Sequence, residues 1–145
     1  MNNKRQKNEE IVDEIKRLLS SEKTLSELYK NPENMENLTD ALEKFGNFLA
    51  NRLKIKTTQI RKFYDALKRI DLESSRKSED EIRIEVLKLK PILAYAVGRQ
   101  RNIRPFYEVI NEAISRVKGK EDFKNFVELV KAIVAYHKFH GGREL

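Results

Sequence analysis

Three arginines in the run Gly98-Arg99-Gln100-Arg101-Asn102-Ile103-Arg104-Pro105 are the side chains of this sequence best suited to chemistry. A guanidinium stays charged and presents a planar fork of donors that matches a phosphate. Gly98 favours the end of one helix and Pro105 the start of the next, so the arginines fall on a short, constrained turn. Such a turn is suited to gripping an anion, a phosphate backbone above all.

A second basic segment lies upstream. From Lys44 to Tyr64 there are six Lys or Arg and no acid, and from Val86 to Tyr107 five more, again without an acid. The two segments carry +11 in a chain whose net charge is +7, so the remainder stands at −4. Solvated helix faces usually interleave both signs. Basicity concentrated in this way points to nucleic acid first and an anionic membrane second. The candidate phosphate contacts are Lys54, Lys56, Arg61, Lys62, Lys68, Arg69, Arg99, Arg101 and Arg104. Arg61, Arg101 and Arg104 stand first, because short constrained elements hold them. The competing reading of Arg52, Lys54 and Lys56 is cations near a helix C-terminus, each favourable by about 0.3–1 kcal/mol.

Groups for catalysis are sparse. His137 and His140 are the only histidines, and their spacing could set both on one helix face for a metal. Two imidazoles are too few ligands, so His137 reads as a residue partly buried near a helix end, and His140 as support for that C-terminus. Neither has the arginine a few residues upstream that a helical ribonuclease of the HEPN type would want. Asp122-Phe123-Lys124 has the Asp-x-Lys form of some nucleases but lacks a further upstream acid; a first-turn acid or N-cap is simpler. The five glycines form no phosphate-binding loop. Phe45, Phe63, Phe106, Phe123 and Phe126 fall on apolar faces and read as core, while Tyr95 and Tyr107 stay open. Phosphate contact is therefore favoured over base reading.

These groups need elements to position them. At 145 residues the chain fits one domain, here residues 9–145 after a polar tail over 1–8 that should fray. It has no cysteine, hence no disulfide and no thiolate metal site, and no cofactor is expected. Without an apolar run of membrane-spanning length, a soluble, cytoplasmic protein is expected. Apolar residues recur at helical spacing throughout. Ile11, Ile15, Leu18 and Leu19 mark one helix. Thr24 with Glu27 caps a short one ending before Pro32, and Leu38 to Leu49 mark a third. Thr57 or Thr58 should cap a helix carrying Ile60, Phe63, Leu67 and Ile70. Ser78 with Glu81 opens another, which Pro91 must kink or divide near Lys90. A helix from Pro105 should run through Val117 to Gly119, and a last one should end at Gly141-Gly142. The expectation is all-α: a compact bundle of five to seven helices with no sheet.

Four pieces together resemble one family. They are Thr57-Thr58-Gln59-Ile60-Arg61-Lys62-Phe63-Tyr64, then Leu87 through Arg99, then Arg104-Pro105-Phe106-Tyr107, and last Phe126-Val127-Glu128 with Ala132 through Gly142. Over about residues 36–142 the chain resembles the small subunit of the type III-A CRISPR interference (Csm) complex. The resemblance implies a helical bundle without catalytic activity, stacked in several copies inside a ribonucleoprotein. It implies crRNA and target RNA as partners, with basic residues along the guide–target duplex. Contact with the backbone and large subunits and no membrane association follow too. Stacking copies would need two different patches, for which Phe48, Ile84 and Leu129 are candidates. The rival readings are a helical DNA-binding regulator with Thr57–Ile70 as recognition helix, and a metal-dependent nuclease using His137, His140 and Asp122.

Overall fold

The computed structural model describes residues 3–142, with side chains from Glu10 onward. The elements in order are α1 (Asn3–Ser20), α2 (Leu25–Tyr29), α3 (Pro32–Asn47), α4 (Thr57–Glu73), α5 (Glu79–Leu87), α6 (Leu89–Arg99), α7 (Arg104–Ile114) and α8 (Lys120–Phe139). Seven of them have nine residues or more, filling the expected range, and the five-residue α2 is added to them. Among the described residues there is no strand. The tail expected over residues 1–8 falls on Met1 and Asn2, outside the described residues, and on the opening turns of α1.

Helix ends follow local chemistry. The Thr24 hydroxyl accepts from the Glu27 N–H at 3.3 Å, and Asn31 Oδ1 accepts from the Asn34 N–H at 3.0 Å ahead of Pro32. At α5 the capping box closes both ways, Glu81 N–H to Ser78 Oγ at 3.1 Å and Ser78 N–H to Glu81 Oε1 at 3.0 Å. Those bonds hold the Glu81 carboxyl below the usual range. Pro91 divides the α5–α6 path as anticipated. The break falls at Lys88 because proline has no N–H for the Leu87 carbonyl.

Several boundaries differ from expectation. Lys56, not Thr57 or Thr58, is the N-cap of α4, and its N–H donates to Gln59 Oε1 at 2.8 Å. Thr57 is buried instead. Gly98 lies inside the last turn of α6, which ends when Gln100 turns extended. α7 stops at Ile114, and Val117 packs in the core from the following turn. Gly119 opens α8 rather than closing α7. Gly141, with φ of +91°, does end the last helix.

α8 is the hub, packing on α2, α3, α4, α5 and α7. Phe123, Phe126, Leu129, Val130, Ile133 and His137 are all buried on it, a stripe too wide for a helix with only one neighbour. Leu129 and Phe48 therefore belong to the core, and of the proposed patch residues only Ile84 is exposed. Phe63 of α4 meets Phe106 of α7 and Phe126 of α8 edge-on, with ring centroids 5.8 and 6.4 Å apart. Asp122 is buried in the first turn of α8. Its Oδ1 accepts from the Ser26 N–H at 2.8 Å and from the Ser26 hydroxyl, and its Oδ2 accepts from the Lys118 N–H at 2.8 Å. It is a structural brace between α2 and α8.

The tightest crossing is α3 on α8 at Gly46. A Cβ there would stand 2.6 Å from Tyr136 Cβ and 2.8 Å from the His137 nitrogen. Backbone and Cβ atoms cannot swing aside, so Gly46→Ala should push the helices apart and destabilise the fold by about 1–3 kcal/mol. Urea unfolding reads this as a lower midpoint at unchanged slope; an unchanged midpoint would contradict the crossing.

Candidate nucleic-acid interface

Past α3 the helix widens into a π-helical turn, Phe48–Arg52, and the chain then reverses into α4 through residues 53–56. Side chains alternate there: Lys54 and Lys56 point to solvent and Ile55 into the core. Lys54 sits at φ of 53°, a left-handed conformation uncommon for a lysine, so the surroundings must hold it. Two bonds do so at Ile55. Its N–H donates to the Leu49 carbonyl at 2.9 Å, and its carbonyl lies 2.6 Å from His137 Nε2.

A carbonyl only accepts, so Nε2 carries the proton. His137 is fully buried at the end of α8, not partly buried as its sequence position suggested. Burial holds its pKa below the ordinary histidine value; the bond to Ile55 opposes that shift and nearby Lys138 adds to it. Gly142 covers the ring so closely that a Cβ there would overlap Nδ1.

Opposite this loop stands the α6–α7 junction, a 3-10 turn over Arg101–Ile103. Side-chain amides join the two sides. Gln59 donates to Gln100, and Asn102 Nδ2 donates to the Leu53 carbonyl at 3.4 Å. Between them runs a groove of about 1020 Å³. Lys54, Lys56, Lys62 and Arg99 line it, and no Asp or Glu does. Its floor is apolar, including Phe63, Leu93 and Phe106.

The two acid-free segments thus meet in space. The other candidates stand outside the groove lining. Arg61, Lys68 and Arg69 are exposed on α4, with the Lys68 ammonium 5.6 Å from the centre of the Tyr64 ring. Arg101 is exposed on the 3-10 turn. Arg104 does have an acid nearby: Glu108, one turn into α7, lies 3.9 Å from its Nε and 3.7 Å from Lys16 Nζ.

The nuclease residues do not converge. Asp122 and His137 are fifteen residues apart on one helix, a rise of roughly 22 Å. His140 Nε2 is 3.3 Å from Glu43 Oε2, and exposed Lys124 reaches Asp71 at 3.5 Å. Among the described residues no three His, Cys, Asp or Glu gather as a metal site. None of the described helices is long and apolar enough to cross a membrane.

The family model described as Csm2 Type III-A matches residues 32–143. This chain belongs to the Csm2 family of type III-A CRISPR systems. A curated relative from Streptococcus thermophilus, named CRISPR system Cms protein Csm2, is 31% identical over 101 residues, spanning 68% of this chain and 79% of its own length. No solved structure gives a significant match. The Csm2 match begins at α3 and so takes in both basic segments, the groove and His137.

The amides of Gln59, Gln100 and Asn102 carry no signal in sequence, being neutral and far apart. Tyr95, now seen 70% exposed on the groove wall, was ambiguous by spacing alone.

Buried His137 makes stability depend on pH. Its folded-state pKa is lowered, so the unfolded chain takes up a proton first as pH falls. Stability should be full above the ordinary histidine value near 6.5 and be lost as pH drops through the lowered value, at up to about 1.4 kcal/mol per pH unit. Urea titrations from pH 7.5 to 5 measure it. His137→Gln should flatten the slope; an unaltered slope would remove His137 as its source.

Proposed function

We propose that this chain is a non-catalytic RNA-binding subunit of a type III-A CRISPR ribonucleoprotein, with residues 9–145 as one helical domain. Its partners are crRNA and target RNA, the backbone and large subunits of the complex, and further copies of itself, in the cytoplasm. One observation carries the reading: two basic segments without acids, far apart in sequence, meet across a single groove. A protein that positions RNA without reading its sequence needs a cluster of cations on a rigid frame. Lys54, Lys56, Lys62 and Arg99 supply one at the groove, and the exposed Arg61, Lys68, Arg69, Arg101 and Arg104 add to the basic surface. The relative's name, a CRISPR system protein, supports the setting.

The experiment is binding of single-stranded RNA followed by anisotropy across a salt series. Three to five phosphate contacts give a log–log slope of about −2 to −3.5. Replacing Lys54, Lys56 and Lys62 together by alanine should make that slope shallower by about 2, because each lost contact removes about 0.7. Arg101→Ala with Arg104→Ala should also weaken binding. A flat salt dependence, or affinity indifferent to both variants, would overturn the reading. Duplex DNA competing as well as RNA would favour a DNA-binding regulator.

A further inference from the structure

The groove has a feature that phosphate contact leaves unused. Besides its cations the groove has an apolar wall that includes Ile92 and Tyr95, 61% and 70% exposed, and a floor of core side chains. A site for a bare phosphate chain has no use for an exposed aromatic ring. Amides held at fixed positions line the same groove: Gln59 is fixed by the Lys56 N–H and by Gln100, and Asn102 by the Leu53 carbonyl.

We infer that this groove binds a nucleotide, with its base against Tyr95 and its phosphate on the Lys54–Lys56–Lys62–Arg99 rim. The inference rests on the proposed RNA-binding role and adds a base-holding site to it. Each part of the ligand has its counterpart. A base offers a flat apolar face, and Tyr95 with Ile92 offers a matching surface. The base edge offers donors and acceptors, and an amide supplies both. The phosphate offers negative charge to a lining with four cations and no acid. At about 1020 Å³ the groove has room for the ligand, being at the upper end of the roughly 300–1,000 Å³ common for small-molecule sites. The same chemistry is presented by an unpaired base of an RNA strand and by a free nucleotide.

The chain has no tryptophan, so a fluorescent base reports on the groove without background. The full-length protein is titrated into a uridine oligoribonucleotide with one central 2-aminopurine. On binding, the 2-aminopurine emission should fall as the base stacks. Tyr95→Ala should abolish that change and weaken binding by about tenfold, the effect of losing one stacked base, while the salt slope stays as in the wild type. Tyr95→Phe should retain both. Tyr95 is exposed, so its removal leaves the core intact. Adenosine monophosphate is the second arm. If it shifts the NMR signals of Tyr95 and Gln100, the site accepts a free nucleotide; if only the strand does, it holds a base within RNA. RNA that binds with its full salt slope but shows no emission change and no response to Tyr95→Ala would overturn the inference and leave the proposed function standing. Such a groove would then suit an acidic, apolar protein segment instead. Failure to bind RNA at all would remove both.

Discussion

The hydrogen bond from His137 to the Ile55 carbonyl is the constraint on which the basic surface depends. It joins the end of α8, the hub of the bundle, to the loop that carries Lys54 and Lys56. Both lysines are exposed and repel one another, so nothing about the lysines themselves holds the loop in place. The work falls to Ile55, buried between them and tied through both its backbone groups. An imidazole suits this position because it reaches a carbonyl from inside the core with one neutral donor. It could do so only if α3 lies close to α8, which Gly46 permits, and if nothing bulky stands at residue 142. Two glycines and a histidine thus act as one device.

The groove floor continues that rigidity. Phe63 belongs at once to the floor and to the three-ring cluster with Phe106 and Phe126. The floor is therefore the outer side of the core, and it cannot relax without repacking α4, α7 and α8. Cations on the rim stay hydrated, so they add field without a large desolvation cost. The ion pairs Glu112 with Arg116 and Glu85 with Lys77 involve none of the groove-lining cations.

Helical periodicity made most of the fold legible, because each amphipathic stripe declares its own buried face. The boundaries were harder where a local signal competed with packing. Thr57 has the side chain of a cap, but burial takes it inside and the cap passes to Lys56. Gly119 looked like a helix end, yet Asp122 draws the next helix back to begin there by accepting the Lys118 N–H. Charge runs revealed both halves of the candidate site. Their meeting was invisible, since it depends on contacts that uncharged side-chain amides make across 41 and 49 residues. His137 was legible as buried but not as an anchor, because its partner is a backbone carbonyl that no side-chain pattern marks.

The distribution of acids completes the argument. A helix N-terminus carries a partial positive charge that an acid in the first turn offsets, worth about 0.3–1 kcal/mol. α5 and α8 use such acids, Glu79, Asp80 and Glu81 in one and Glu121 and Asp122 in the other. α4, α6 and α7 have none. Those three are the helices that build the groove, and residues of each line it. Stability alone would favour acids in all five first turns. Their omission from these three leaves the helix dipoles unopposed, so the backbone adds to the field of the lysines and arginines. α1 lacks a first-turn acid as well and does not line the groove, so the omission marks the groove helices without being confined to them.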